Sequence, residues 1–113
     1  MNVDGLTMFV SSTAANGVVG GDTRLHFSQL GERVFARYSG GSVVRGWLVG
    51  RWQGAQLAFR YAQVETDRTI HGGRSLCDVE RLPDGRVRVI EHFAWKTRPG
   101  TGTNVFEELP AAG

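Results

Sequence analysis

The stretch PDGRVRVIEHFAWK, residues 83–96, decides the fold. Pro83-Asp84-Gly85 is a turn: proline presets φ, aspartate bonds to its own backbone, and glycine accepts a left-handed conformation. From Arg86 onward the chain alternates. Arg86, Arg88, His92 and Lys96 share one face, and Val87, Val89, Glu91, Phe93 and Trp95 share the other. A period of two is the mark of a strand with one face in a core. The charged face goes to water, so the interior face carries a carboxylate, Glu91, among aromatic rings. A buried charge is costly, so Glu91 must be paired, hydrogen-bonded or protonated. Tyr38, Tyr61 and Gln63 are the expected partners, and Arg24 and Lys96, near strand ends, are candidates to reach in.

The same period repeats on both sides of this stretch. Strands are expected over residues 6–13, 24–29, 33–38, 43–52, 56–65, 69–80, 86–96 and 102–109, with turn signals at Asn16-Gly17, Leu30-Gly31, Gly40-Gly41, Gln53-Gly54, Thr66–Arg68 and Pro99-Gly100. No segment carries a helical stripe. Connections of mostly two to five residues join antiparallel neighbours. The expected fold is all-β: an eight-stranded antiparallel up-and-down barrel of the calycin type. It would form one domain over residues 1–113 with an ordered core of about 6–109 and a frayed tail at Pro110–Gly113. Closure hides the edge strands, and eight strands leave a lumen for side chains or one small ligand.

Alternation also assigns faces. Val34, Ala36 and Tyr38 point inward, as do Leu57, Phe59, Tyr61, Gln63 and Glu65, and His71, Gly73, Ser75, Cys77 and Val79. In strand four, Val43, Trp47 and Val49 share the outer face with Arg45 and Arg51. Strands one and eight read either way: Asn104, Phe106 and Glu108 face in, or Val105 and Leu109 do. The expected ligand-facing wall is Phe27, Trp52, Phe59, Phe93 and Trp95, with Gln63 and Ser75 as polar contacts. That is the make-up of a small-molecule pocket: apolar surface with a few placed polar atoms.

Composition excludes much else. The chain has 113 residues, of which 16 are glycine and one is cysteine. It is too short for a TIM barrel or a two-domain dehydrogenase. Cys77 has no partner for a disulfide, and no cysteine and histidine spacing suits a metal, so no metal or cofactor is expected. No basic leader and no long apolar run is present, which gives a cytoplasmic expectation without membrane contact. Twelve arginines are scattered along the chain among acids, with Lys96 the only lysine. A nucleic-acid binder usually shows a concentrated stripe instead, so none is expected as partner. Trp47 and Val49 on the outer wall predict a homodimer contact.

The strings GGSVVRGWLVG (residues 40–50), FRYAQV (59–64), LPDGRVRVIEHFAW (82–95) and GTNVFEEL (102–109) resemble a family of small bacterial proteins often labelled N-acetylglutamate synthase. The likeness spans about residues 16–109. Acetyl transfer would need a glycine loop opening a helix, and the chain has none. The family is similar in pattern to the calycin-like barrels, the lipocalin and avidin group, and this resemblance implies ligand binding in the lumen. Two functions follow as expectations. One is a barrel holding an apolar or aromatic ligand, oriented by Tyr38, Tyr61, Gln63 and Glu91. The alternative is a cofactor-independent isomerase, cyclase or lyase of a specialised biosynthetic pathway. There Glu91 would move a proton and Tyr61 or Tyr38 would polarise an oxygen. His71 is a weaker proton-transfer candidate, and Cys77 reads as packing.

Overall fold

The computed structural model describes residues 1–110, so the expected frayed tail lies, from residue 111 on, outside the described residues. Eight strands run in chain order: β1 (Thr7–Ser12), β2 (Arg24–Leu30), β3 (Arg33–Gly40), β4 (Val43–Gln53), β5 (Gln56–Glu65), β6 (Ile70–Arg81), β7 (Val87–Trp95) and β8 (Thr101–Glu108). Each pairs antiparallel with the next, and β8 returns to β1, closing the barrel. No helix occurs among the described residues.

Closure leaves no edge to protect, and it commits every inward row to one shared interior. Val34, Ala36 and Tyr38 on β3 are buried, as are Leu57, Phe59, Gln63 and Glu65 on β5 and Val87, Val89, Glu91 and Phe93 on β7. The two open strands resolve. Asn104 and Phe106 of β8 face in, and so do Met8 and Val10 of β1. One assignment is corrected. Val43 faces inward at 2% exposure while Val44 is 55% exposed, because the register slips between Val43 and Arg45. That bulge inserts one residue and inverts the alternation before it.

The β1–β2, β3–β4, β5–β6 and β7–β8 connections gather at the upper end, and the β2–β3, β4–β5 and β6–β7 turns at the lower end. The lower half is filled by apolar side chains. Val3, from the N-terminal segment, seals it from below, under Met8, Val34, Leu57, Cys77, Val87 and Val89.

On the outer wall, Trp47 is 46% exposed, next to exposed Phe35 and Val49. Arg33, Arg37, Arg45, Arg51, Arg60 and Arg74 stand around them, and among the described residues none of the six has a carboxylate within ion-pair distance. The acids lie elsewhere: Asp84, Glu80 and Glu107 pair with Arg86 and Arg88 near the lower end.

Candidate functional site

The upper half is built on rings facing glycines. Antiparallel register sets Tyr38 opposite Gly46, Phe59 opposite Gly50, Tyr61 opposite Gly73 and Phe93 opposite Gly102. A Cβ at any of these glycines would fall inside contact distance of the facing ring or its Cβ. The missing side chains are thus what lets the aromatics lie flat across their neighbours. Phe59, Tyr61, Phe93 and Trp95 then meet edge to face, with centroids 6.2 Å apart for Phe59–Tyr61, 5.5 Å for Tyr61–Trp95 and 5.8 Å for Phe93–Trp95.

Two polar chains thread this aromatic wall. In the first, Tyr38 Oη donates to Gln63 Oε1 at 2.8 Å, and Gln63 Nε2 donates to Glu65 Oε2 at 2.9 Å. Glu65 ends the chain on Arg98, whose Nη2 lies 2.8 Å from both carboxylate oxygens. The Arg98 guanidinium also sits 4.5 Å from the centre of the Trp95 ring, a cation–π contact. Arg98 leans over the mouth from the β7–β8 turn.

In the second chain, Ser75 Oγ donates to Glu91 Oε2 at 2.6 Å and Asn104 Nδ2 donates to Oε1 at 2.9 Å. Asn104 Oδ1 in turn accepts from Thr13 Oγ1 at 2.8 Å. Glu91 is 5% exposed, and burial pushes its pKa up, against the two hydrogen bonds and the His92 charge, which pull it down. Burial, with Glu91 adding to it, raises the Tyr38 and Tyr61 phenols well above their ordinary value. Cys77 behaves likewise, so its thiol is kept from forming a nucleophilic thiolate.

Between the two chains lies a cavity of about 30 Å³, room for roughly two waters. Tyr38, Gln63, Glu91 and Asn104 reach it from one level and Phe59, Tyr61, Phe93 and Trp95 from the wall. Its roof is the β1–β2 loop, through Gly17, Val18 and Val19. That loop is pinned by a turn, Gly17 N to Ala14 O at 2.9 Å, and by Asn16 Nδ2 donating to Thr101 O at 3.0 Å. Two polar atoms in the lining, Tyr61 Oη and Trp95 Nε1, are buried with no partner in the protein.

Of the residues expected to face a ligand, Tyr38, Phe59, Tyr61, Gln63, Glu91, Phe93 and Trp95 come together here. Ser75 stands behind Glu91 rather than in the lining. Phe27 lies outside it in the apolar core, and half-buried Trp52 packs against that core, its Nε1 also buried without a partner. His71 is also outside, its Nδ1 2.8 Å from Thr97 Oγ1. The partners expected for Glu91 are replaced: Tyr38 and Gln63 serve Glu65, and Ser75 and Asn104 serve Glu91. Lys96 stays exposed, and Arg24 bonds to the Gly21 and Thr23 carbonyls. The cation at the mouth is Arg98, in a turn where alternation assigns no face.

A family model described as avidin-like protein matches residues 1–109. No curated protein and no solved structure matches the chain.

Proposed function

The chain belongs to the avidin-like family, and from that premise we propose that its upper lumen binds one small ligand with an aromatic or apolar body. The observation that carries the reading is the pair of buried, unpartnered atoms, Tyr61 Oη and Trp95 Nε1, in a cavity walled by aromatic rings. Buried polar groups without partners are rare and costly. Polar atoms of a ligand placed beside each of the two would satisfy them, while its body lies against Phe59 and Phe93. The cavity of about 30 Å³ is smaller than such a ligand, so entry displaces Val18 and Val19 of the β1–β2 loop.

The test is a thermal-shift screen of small aromatic compounds against the native chain and Val18→Trp, which plugs the mouth from the loop and leaves the core rows intact. A lumen ligand raises the melting temperature of the native chain by mass action and leaves Val18→Trp unmoved. Equal shifts in both would place the binding elsewhere.

The partner proposed for the outer wall is a second copy of the chain, covering Phe35, Trp47 and Val49. A broad hollow over β4–β8 that includes Val49 adjoins this strip. A two-fold contact there sets like arginines against one another. Pairing therefore tightens as salt screens them, over roughly 0.05 to 0.5 M. Sedimentation of the native chain and Trp47→Glu reads it: a salt-independent monomer in both refutes the pair.

A further inference from the structure

We propose that the ligand of the upper lumen is a cation: a protonated amine or amidine on an aromatic or apolar body, with its charged head on Glu91. This rests on the lumen being the binding site and adds the chemical class of the occupant.

The interior holds two buried carboxyls, and they differ in one respect. Glu65 carries the chain's own counter-charge, Arg98. Glu91 carries none: among the described residues no lysine, arginine or histidine lies within ion-pair distance of it. A buried carboxyl stays ionised only when its charge is compensated.

The hydrogen bonds around Glu91 suit the ionised form. Thr13 Oγ1 and the Ala14 amide both donate to Asn104 Oδ1, so the Asn104 amide is turned with its NH2 towards Glu91 and can only donate there. The 2.6 Å separation from Ser75 Oγ is in the range of a hydroxyl donating to a carboxylate. Two donors are aimed at Glu91 and no cation is. Each oxygen retains lone-pair capacity towards the cavity.

The groups around it leave that role open. Cys77 on β6 and Tyr38 and Tyr61 on β3 and β5 are neutral, and Arg98 is engaged by Glu65. His92 follows Glu91 in the chain but points outward, to Asp78. The wall suits a positive charge as well. Aromatic faces attract cations, and Trp95 already holds one, the Arg98 guanidinium, against its ring. The Tyr61 hydroxyl can accept from an ammonium N–H, which leaves Trp95 Nε1 for an acceptor on the ligand body.

Three probes of one shape and different charge test this: benzylamine, benzyl alcohol and benzoate, titrated by calorimetry into the native chain and into Glu91→Gln. The native chain is expected to bind benzylamine at least tenfold more tightly than benzyl alcohol, and benzoate most weakly. Glu91→Gln is expected to erase the amine preference and to retain the alcohol. The native ratios decide the question without any variant. Benzyl alcohol bound as tightly as benzylamine, or an amine preference that survives Glu91→Gln, overturns the cation while leaving a lumen ligand standing. If none of the three binds the native chain, the lumen reading falls and the cation with it.

Discussion

The two halves of the barrel interior are made by one rule and serve different ends. Both are inward rows of period-two strands. Below, each inward position is apolar, and Met8, Leu57, Cys77 and Val89 pack with no exposed surface. Above, the inward positions alternate between rings, glycines and hydrogen-bonded polar groups: Tyr38, Gln63, Glu65, Ser75, Glu91 and Asn104. The lower half obtains its stability from close packing. The upper half gives up some of that packing to hold two carboxylate networks and a cavity. The half that departs from the simplest core is the one that holds the candidate site.

The largest effect that would break this division is in the lower half. Leu57→Ala is expected to cost about 2–5 kcal/mol, the range for a fully buried leucine, while any lumen ligand that still binds the folded fraction does so with unchanged affinity. Chemical denaturation and ligand titration together read this. A large loss of affinity with little loss of stability would mean the halves are not separate.

Next in size is Gly73→Ala, which drives a methyl group into the Tyr61 ring and the Ala94 carbonyl. Overpacking of this kind costs about 1–3 kcal/mol. Here stability and ligand affinity are expected to fall together, since the displaced ring is part of the cavity wall. Retained affinity would show that Tyr61 does not shape the site.

The third is a pH effect confined to the upper half. Glu91 has a folded pKa above the ordinary 4.5. As pH rises through 4.5 the unfolded chain loses this proton first. The folded chain then binds more protons than the unfolded one, and stability falls with pH, by at most about 1.4 kcal/mol per unit. The fall ends where Glu91 itself ionises in the fold. Glu91→Gln is expected to remove this slope, and Leu57→Ala to keep it. Denaturation midpoints followed upward from about pH 4.5 give the measurement; an unchanged slope in Glu91→Gln would assign it to another group.

How much of this was legible in the sequence differs between the halves too. Turn chemistry and period two suffice for eight strands and closure, and for the inward rows of β3, β5, β6 and β7, because a strand can face only two ways. Glu91 stands out for the same reason, as a carboxylate on an apolar row. Of its partners, Asn104 is within reach, since counting back across the β7–β8 turn sets it opposite Glu91; Ser75 is not, because it lies diagonal to Glu91, and choosing it over Tyr38 and Gln63 depends on the depth of each residue in a tilted barrel, which alternation does not encode. Val43 was misread because a bulge adds one residue without a composition signal. Gly102 is a softer omission: counting back across the β7–β8 turn sets it opposite Phe93, so pairing each inward ring with its cross-strand neighbour finds it. Arg98 lies in a turn, and only three-dimensional proximity to Glu65 and Trp95 gives it a place.

The smallest effect lies in one turn of the upper rim rather than in either core. All three lower turns place a glycine in the left-handed region: Gly31, Gly54 and Gly85, with φ of 61°, 62° and 90°. The upper β5–β6 turn instead holds Arg68 there, at φ 72°, the one non-glycine residue so placed among the described residues. A side chain in that region costs roughly 1–2 kcal/mol, and the turn persists because Asp67 Oδ1 accepts from both the Thr69 amide at 3.0 Å and its hydroxyl at 2.6 Å. Arg68→Gly relieves the strain and gives back part of it through the freer unfolded chain, roughly 0.4–1 kcal/mol. The expected net gain is roughly 0.8 kcal/mol, the difference of those two ranges at their centres, read as a rise in denaturation midpoint at constant slope. Arg68→Ala keeps the strain and should show no gain. Equal stabilisation by alanine and glycine would mean that the arginine side chain, rather than its backbone, is what sets this turn apart.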